Sequence, residues 1–494
     1  MLDTGNWVTP YVGGKPFLHK PPLVNWAIAV SFKIFGVRNE WTARAPSVLA
    51  MLALALTIGA LGREGGWMKP ETALVAALLA LTQVASIEKG RLAEIEAIYP
   101  ALSGIGLVLW LAWYAEDRSP WLLWTIPFVF FGLALLAKGP LHLVFFYIIA
   151  GCVLGETRDW RKALHPAHFV GLALMAGIFL VWFIPYHHDP ATQGVAQKWQ
   201  EQFIDRVTEK FDFKGWITNI PRGLCDHLPW VLLAPALWRR GLEKLGPRMT
   251  GVFCGVRMGV VVGFFGLLLI PGVLPRYVLP LSAPFALLLA LALADDRLDP
   301  LPKLLRPWWR ANQALAILLL IVACAAPVAY AIGKRREYLA TRVGEFQWPI
   351  VGSAVAIALC LAIYLGRWKM ARPALIATAS AGVITAAMCI FASSGVPFYN
   401  RSDVLRAQAN VINQSVPVGK TLVLCDPEYQ PVIFYLQPPC VYALTMEEIP
   451  ANAEWVLVRA DKREKIQRLH PELALKHEFA AGKLQQLALL YRKS

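Results

Sequence analysis

The sequence predicts a polytopic α-helical membrane protein with about 12 membrane helices and a small C-terminal α/β domain. Three observations carry that fold class. Of 494 residues, 57% are hydrophobic and 16% charged, with 19 Trp. The mean hydropathy is +0.48, too apolar for a soluble domain that must cover itself with polar surface. Apolar runs long enough to cross a bilayer, roughly 17 to 25 residues each, recur between Thr42 and Ser394. From Asn400 onward the pattern changes to short alternating strands and amphipathic helices. The runs show no barrel-type alternation, so helices must satisfy the backbone inside lipid.

The first 42 residues form a segment of their own. Within it "PLVNWAIAVSFKIFG" is apolar but about 15 residues long, which suits a helix lying along the interface. Membrane helices then follow near 43–62, 71–87, 97–115, 121–137, 139–155, 167–185, 228–239, 257–272, 277–294, 312–332, 349–366 and 373–393. Short joints such as "AKGP" separate them. The predicted domains are 1–42, an outer loop with the interfacial helix; 43–393, the membrane region; and 394–494, the α/β tail. In that tail "SDVLRAQANVINQ" and "DKREKIQRLH" read as helices, while "TLVLC", "EWVLVR" and "QLALLYR" read as strands.

The formal charge of +15 sits in short joints between apolar segments, not in one stripe, so anionic lipid and membrane topology account for it and nucleic acid is not a partner. The denser basic joints, among them "GETRDWRKALHP" and "DDRLDPLPKLLRPWWR", fall on the cytoplasmic side by the positive-inside rule. The outer, periplasmic face then holds the N-terminal segment, the "IEKGRLAEIEA" joint, the 187–227 loop, Arg276 and the tail. Eight Cys are scattered without a CxxC or metal spacing. Cys425 and Cys440 lie in the tail, where a periplasmic location leaves a disulfide between them open.

Ionisable residues near membrane helices are costly, so those that share a face define a site. Lys20 stands before Pro21 and Pro22 at the start of the interfacial helix, where free N–H groups and the helix dipole also favour an anion; the alternative is a lysine snorkelling to headgroups. Arg276, beside Tyr277, offers the same pair of readings. Lys138 either caps a helix end or faces a polar cavity. Arg206, in the outer loop with Asp205, is a bidentate phosphate ligand or part of a surface helix. Glu94 and Glu96 open a membrane helix at its positive end; each stabilises that end, or acts as a base on an acceptor hydroxyl. His19, His187, His188 and His227 make a metal site only if folding gathers them. There is no P-loop, dinucleotide fingerprint, GxSxG elbow or HExxH helix.

The run "LDTGNWVTPYVGGKPFLHKPPLVNWAIAVSFKIFGVRNEWTARAPSVLA", followed by "RLAEIEAIYPALSG", "LLAKGPL", "HLPWVLLAPALW" and "RYVLPLSAPFALLLA", resembles the bacterial aminoarabinose transferases. These are glycosyltransferases of the GT-C superfamily related to protein O-mannosyltransferases. The resemblance implies a bacterial inner-membrane enzyme that takes a sugar from a polyprenyl-phosphate donor and passes it, with inversion, to lipid A or another envelope glycolipid or glycan on the periplasmic face. It places Lys20, in the "KPP" position, and Arg206 on the donor phosphate, gives Lys138 and Arg276 recurring positions, and sets Glu96, or failing that Glu94, near the acidic residue of the family's second outer loop. His19 stands where the family has Glu, which leaves a divalent metal open. The resemblance also implies an N-terminally truncated form, because relatives place a further helix and an Asp-Glu motif, with the proposed catalytic base, ahead of this first segment. A transporter of lipid-linked sugars and a non-catalytic membrane protein are the competing expectations.

Overall fold

A computed structural model describes residues 1–2, 4–17, 20–192, 213–295, 298, 306–307, 310–311, 401–425, 431–479 and 486–493. His19, Asp205, Arg206 and the predicted helices 312–332, 349–366 and 373–393 lie outside them. The described residues form two compact units: Met1 with Thr9–Phe17 and Val396–Ser494, and Leu2–Val8 with Leu18–Gly395.

In the membrane unit, α1 spans Leu23–Phe35. Pro22 is its N-cap, and Gly36, at φ 69°, takes the left-handed conformation that ends it. Ile34 and Phe35 and, just beyond, Val37 and Trp41 leave apolar surface exposed. Asn39 and Thr42 exchange hydrogen bonds in a capping box that starts α2, Glu40–Ala60. Then come α3, Pro70–Leu81; α4, Val84–Gly90; α5, Ile95–Ala115; α6, Pro120–Ala137; α7, Leu141–Glu156; α8, Pro166–His188; α9, Phe213–Asp226; α10, Pro247–Leu268; and α11, Ser282–Ala294, entered through a 3-10 turn at Pro275–Leu281.

Among the described residues six helices are long and apolar enough to cross a membrane, or seven if a bent pair counts as one span. The bent pair corrects the single helix expected over 71–87: α3 and α4 meet at 65°. The break needs no Pro or Gly. The Thr82 hydroxyl donates back to the Leu78 carbonyl, Trp230 Nε1 donates to that hydroxyl, and the Val84 N–H is taken by the Leu228 carbonyl. A second correction falls on 228–239, where Trp230–Trp238 is a nine-residue 3-10 segment bounded by Pro229 and interrupted by Pro235.

Small residues let these helices approach. A Cβ on Gly255 or Gly259 of α10 would meet backbone of Val153 or Ile149 on α7, and one on Gly171 of α8 would lie 1.9 Å from the Trp124 carbonyl oxygen of α6. Among the described residues the most enclosed spans are α5 and the segment Pro275–Ala294.

The other unit carries α12, Arg401–Ser415, and α13, Arg463–Leu469. Its strands are β3, Leu422–Cys425; β4, Cys440–Ala443; β5, Trp455–Arg459; β6, Leu473–Phe479; and β7, Leu487–Arg492. They form a sheet in the order β4-β3-β5-β7-β6, parallel among β4, β3 and β5 and antiparallel beyond. Period-two alternation makes both faces apolar: Leu422 and Leu424 pack with Leu405, Ala409 and Ile412 of α12, whereas Val423 and Cys425 pack in a cluster that includes Ile466 of α13. A hairpin of β1, Tyr11–Val12, and β2, Lys15–Pro16, belongs to this unit. The Tyr442 N–H on edge strand β4 donates to the Gly13 carbonyl, 2.9 Å, and Lys15 pairs with Glu448.

The disulfide left open by the sequence does not form, as Cys425 and Cys440 are both free. Register is the reason. Cys425 lies opposite Ala443 and Cys440 opposite Leu422, a stagger of about 10 Å along the strands, beyond the reach of a disulfide.

Candidate functional site

The start of α5 gathers the ionisable residues singled out from the sequence. Glu96 lies in its first turn, where the helix dipole favours a carboxylate. Its Oε1 is 3.3 Å from Lys138 Nζ and 3.3 Å from Arg276 Nε. Lys138 and Glu96 are each 12% exposed at the side chain and Arg276 is 49% exposed, so the cluster opens at one side. Lys138 is the C-cap of α6, its N–H donating to the Ala134 carbonyl. Its ammonium lies 5.3 Å from the Tyr99 ring centroid and 4.6 Å from that of Tyr277, a partly desolvated cation held by a carboxylate and two aromatic faces. Burial pushes it down to about 8, against the pull of Glu96 and with that of nearby Arg276 and Lys20.

Lys20 is half-buried at the bend that leads into α1, and its charge reaches Lys138. The proline pair falls one place earlier than expected, with Pro22 at the N-cap and Leu23 first in the helix. Glu94 is the N-cap residue of α5, without a side-chain cap bond. Its Oε1 lies 3.2 Å from Lys89 Nζ, which also pairs with Glu88. A cleft beside these groups is lined by Met51, Leu54, Ala85 and Pro100 together with Lys89 and Glu96.

Lys20, Lys138, Arg276 and Glu96 therefore act in one electrostatic neighbourhood, Glu94 sits two residues before Glu96 and pairs with Lys89, and Arg206 lies outside the described residues. Tyr99 was not among the expected site residues. It lies three positions after Glu96, the helical spacing that puts both on one face, and this was the signal available for it. Among the described residues no group of three or more His, Cys, Asp or Glu is placed to hold a metal ion. His187 and His188 are exposed, while His227 is buried with Nδ1 2.6 Å from Gln83 Oε1.

Two cations on one carboxylate, with Lys20 in electrostatic reach of Lys138, leave an excess of positive charge beside a largely apolar cleft, an arrangement suited to a lipid phosphate. The chain aligns over 99% of its length with the crystal structure of ArnT from Cupriavidus metallidurans bound to undecaprenyl phosphate, at a TM-score of 0.72 and 18% identity, covering 91% of that chain. The chain has the fold of that transferase. The apo structure of the same aminoarabinose transferase aligns at a TM-score of 0.70. Residues 19–184 match the family described as dolichyl-phosphate-mannose-protein mannosyltransferase.

Two curated relatives carry the description undecaprenyl phosphate-alpha-4-amino-4-deoxy-L-arabinose arabinosyl transferase. The one from Pseudomonas aeruginosa strain LESB58 is 28% identical over 300 residues, 60% of this chain and 53% of its own length. The one from Pseudomonas paraeruginosa is 29% identical over 325 residues, 65% of this chain and 58% of its own. The chain thus spans a little over half the length of the curated relatives it matches.

Proposed function

We propose that this aminoarabinose-transferase-like chain is a membrane glycosyltransferase that moves a sugar from a polyprenyl-phosphate donor to lipid A or another envelope glycolipid or glycan. The reaction is placed on the periplasmic face of the bacterial inner membrane. The observation that carries the reading is the bridge from Glu96 to Lys138 and Arg276, with Lys20 in reach of the same charges. The names of the relatives and of the undecaprenyl-phosphate-bound neighbour support it.

In this reading the donor phosphate lies against Lys20, Lys138 and Arg276, with Arg206 contributed by the outer loop. The phosphate gains charge as the bond to the anomeric carbon breaks, and cations fixed in advance stabilise that charge most where water is scarce. An acceptor hydroxyl attacks from the opposite side, which inverts the anomeric centre. Glu96, held by two cations, keeps the phosphate clamp assembled, and Glu94 is the carboxylate that orients or deprotonates the acceptor hydroxyl. The chemistry is assigned to 1–42 and 43–393, and 394–494 to a periplasmic α/β domain.

The break between α3 and α4 favours a second reading, a transporter of lipid-linked sugars, since discontinuous helices often line such pathways. Purified chain in nanodiscs, given a polyprenyl-phosphate sugar and lipid A, separates the two. A transferase releases polyprenyl phosphate and a transporter does not. Lys20→Ala and Lys138→Ala should each lower release by a factor of about 100 or more, and near-normal turnover of both would sink the phosphate assignment.

A further inference from the structure

The joint between α6 and α7 is three residues long, Lys138, Gly139 and Pro140. Its middle residue adopts φ 130°, which an L side chain rarely takes. Two positions into α7, His142 is 2% exposed and turns back so that Nδ1 lies 3.1 Å from the Gly139 carbonyl oxygen. A carbonyl only accepts, so Nδ1 carries the hydrogen in this bond. The same imidazole meets Tyr99 edge to face, with centroids 5.5 Å apart at 81°, and it packs against Phe131 of α6 at 5.6 Å. Tyr99 in turn is one of the two rings flanking the Lys138 ammonium.

We propose that His142 is a positioning residue for Lys138, fixing the backbone beside it through Gly139 and one wall of its aromatic cradle through Tyr99. The inference rests on the reading of Lys138 as a donor-phosphate ligand for its functional consequence, though not for its geometry. An α6–α7 joint with a glycine at φ 130° has no side chain of its own to hold its shape, and the next residue, proline, has no N–H to contribute. The imidazole Nδ1–H supplies the missing anchor from inside the following helix. It acts on the ammonium through neighbours on two sides, so losing it frees Lys138 without removing any group that carries the phosphate.

The test uses the chemistry of the two ring nitrogens. Asn places its amide nitrogen two bonds beyond Cβ, as Nδ1 is placed, whereas Gln places its amide nitrogen further out, as Nε2 is. The full chain in nanodiscs is compared with His142→Asn, His142→Gln and His142→Leu, keeping variants whose melting shows a folded protein. Two quantities are read: the rate at which a water-soluble amine reagent labels Lys138, followed by mass spectrometry, and the affinity for undecaprenyl phosphate. The expected result is near-parental behaviour for Asn, with faster Lys138 labelling and about tenfold weaker binding for Gln and Leu, the loss of roughly one anchoring hydrogen bond. Equal labelling of Lys138 in parent, Asn and Gln overturns the proposal. If labelling follows the expected order while the parent itself does not bind undecaprenyl phosphate, the brace stands and the donor-phosphate reading falls.

Discussion

Replacing Glu96 by Gln keeps the shape of the side chain and removes the charge that Lys138 and Arg276 share. At 3.3 Å an effective dielectric of about 20 gives roughly 5 kcal/mol of gross attraction per pair. The Arg276 pair is discounted heavily, because that side chain is 49% exposed and water screens it. The Lys138 pair is mostly buried, and stranding one partner of such a pair costs about 3 to 5 kcal/mol. Gln retains an acceptor for Lys138, so we expect a net loss of about 2 to 3 kcal/mol. Steric trapping in bicelles, or melting in detergent, measures it. A cycle with Lys138→Met sharpens the result: the double variant should be more stable than Glu96→Gln alone, with a coupling of at least about 1 kcal/mol. Glu96→Gln within about 0.5 kcal/mol of the parent, or purely additive effects in the cycle, would refute the bridge as the organising contact of the site.

Two further outcomes follow from packing and charge. Gly171→Ala should cost about 3 kcal/mol or fail to fold, since its Cβ would lie 1.9 Å from the Trp124 carbonyl oxygen; an unchanged melting temperature would show that α6 and α8 do not pack as described. Asp226, at the end of α9, is pushed up to about 6 by burial and the nearby Glu88. The folded state therefore binds its proton more tightly than the unfolded one, and this stabilising contribution, full below about pH 4, is lost as pH rises through 6. Asp226→Asn should flatten that decline, and identical pH–stability curves for the two proteins would rule it out.

The membrane helices were legible where length and apolarity decide the outcome, as in α2, α5, α6 and α8. The α3–α4 break was not, because Thr82 and Gln83 carry no breaker; the partners that hold the bend open are Leu228 and Trp230, far along the chain. The α/β tail gave up three of its five strands. The other two hid for different reasons: β4 is a short "CVYA" at an edge, and the exposed, charged middle of β6 breaks its apolar alternation. Lys138, Arg276 and Glu96 were each visible as a costly charge in an apolar context. That they meet was not, since Lys138 follows Glu96 by 42 residues and Arg276 comes much later still. Only tertiary folding brings those helix ends together.

The hairpin at Tyr11–Pro16 has a consequence for how the protein is made. Edge strand β4 receives the carbonyl of Gly13, yet the ribosome finishes the two about 430 residues apart, which at 5 to 20 residues per second is an interval of roughly 20 to 90 s. Through that time the hairpin waits without its sheet, while the helices between them are threaded into the bilayer. The α/β domain is therefore closed by a hairpin made long before its strands, and a fragment starting at Val396 would lack the piece that covers its edge.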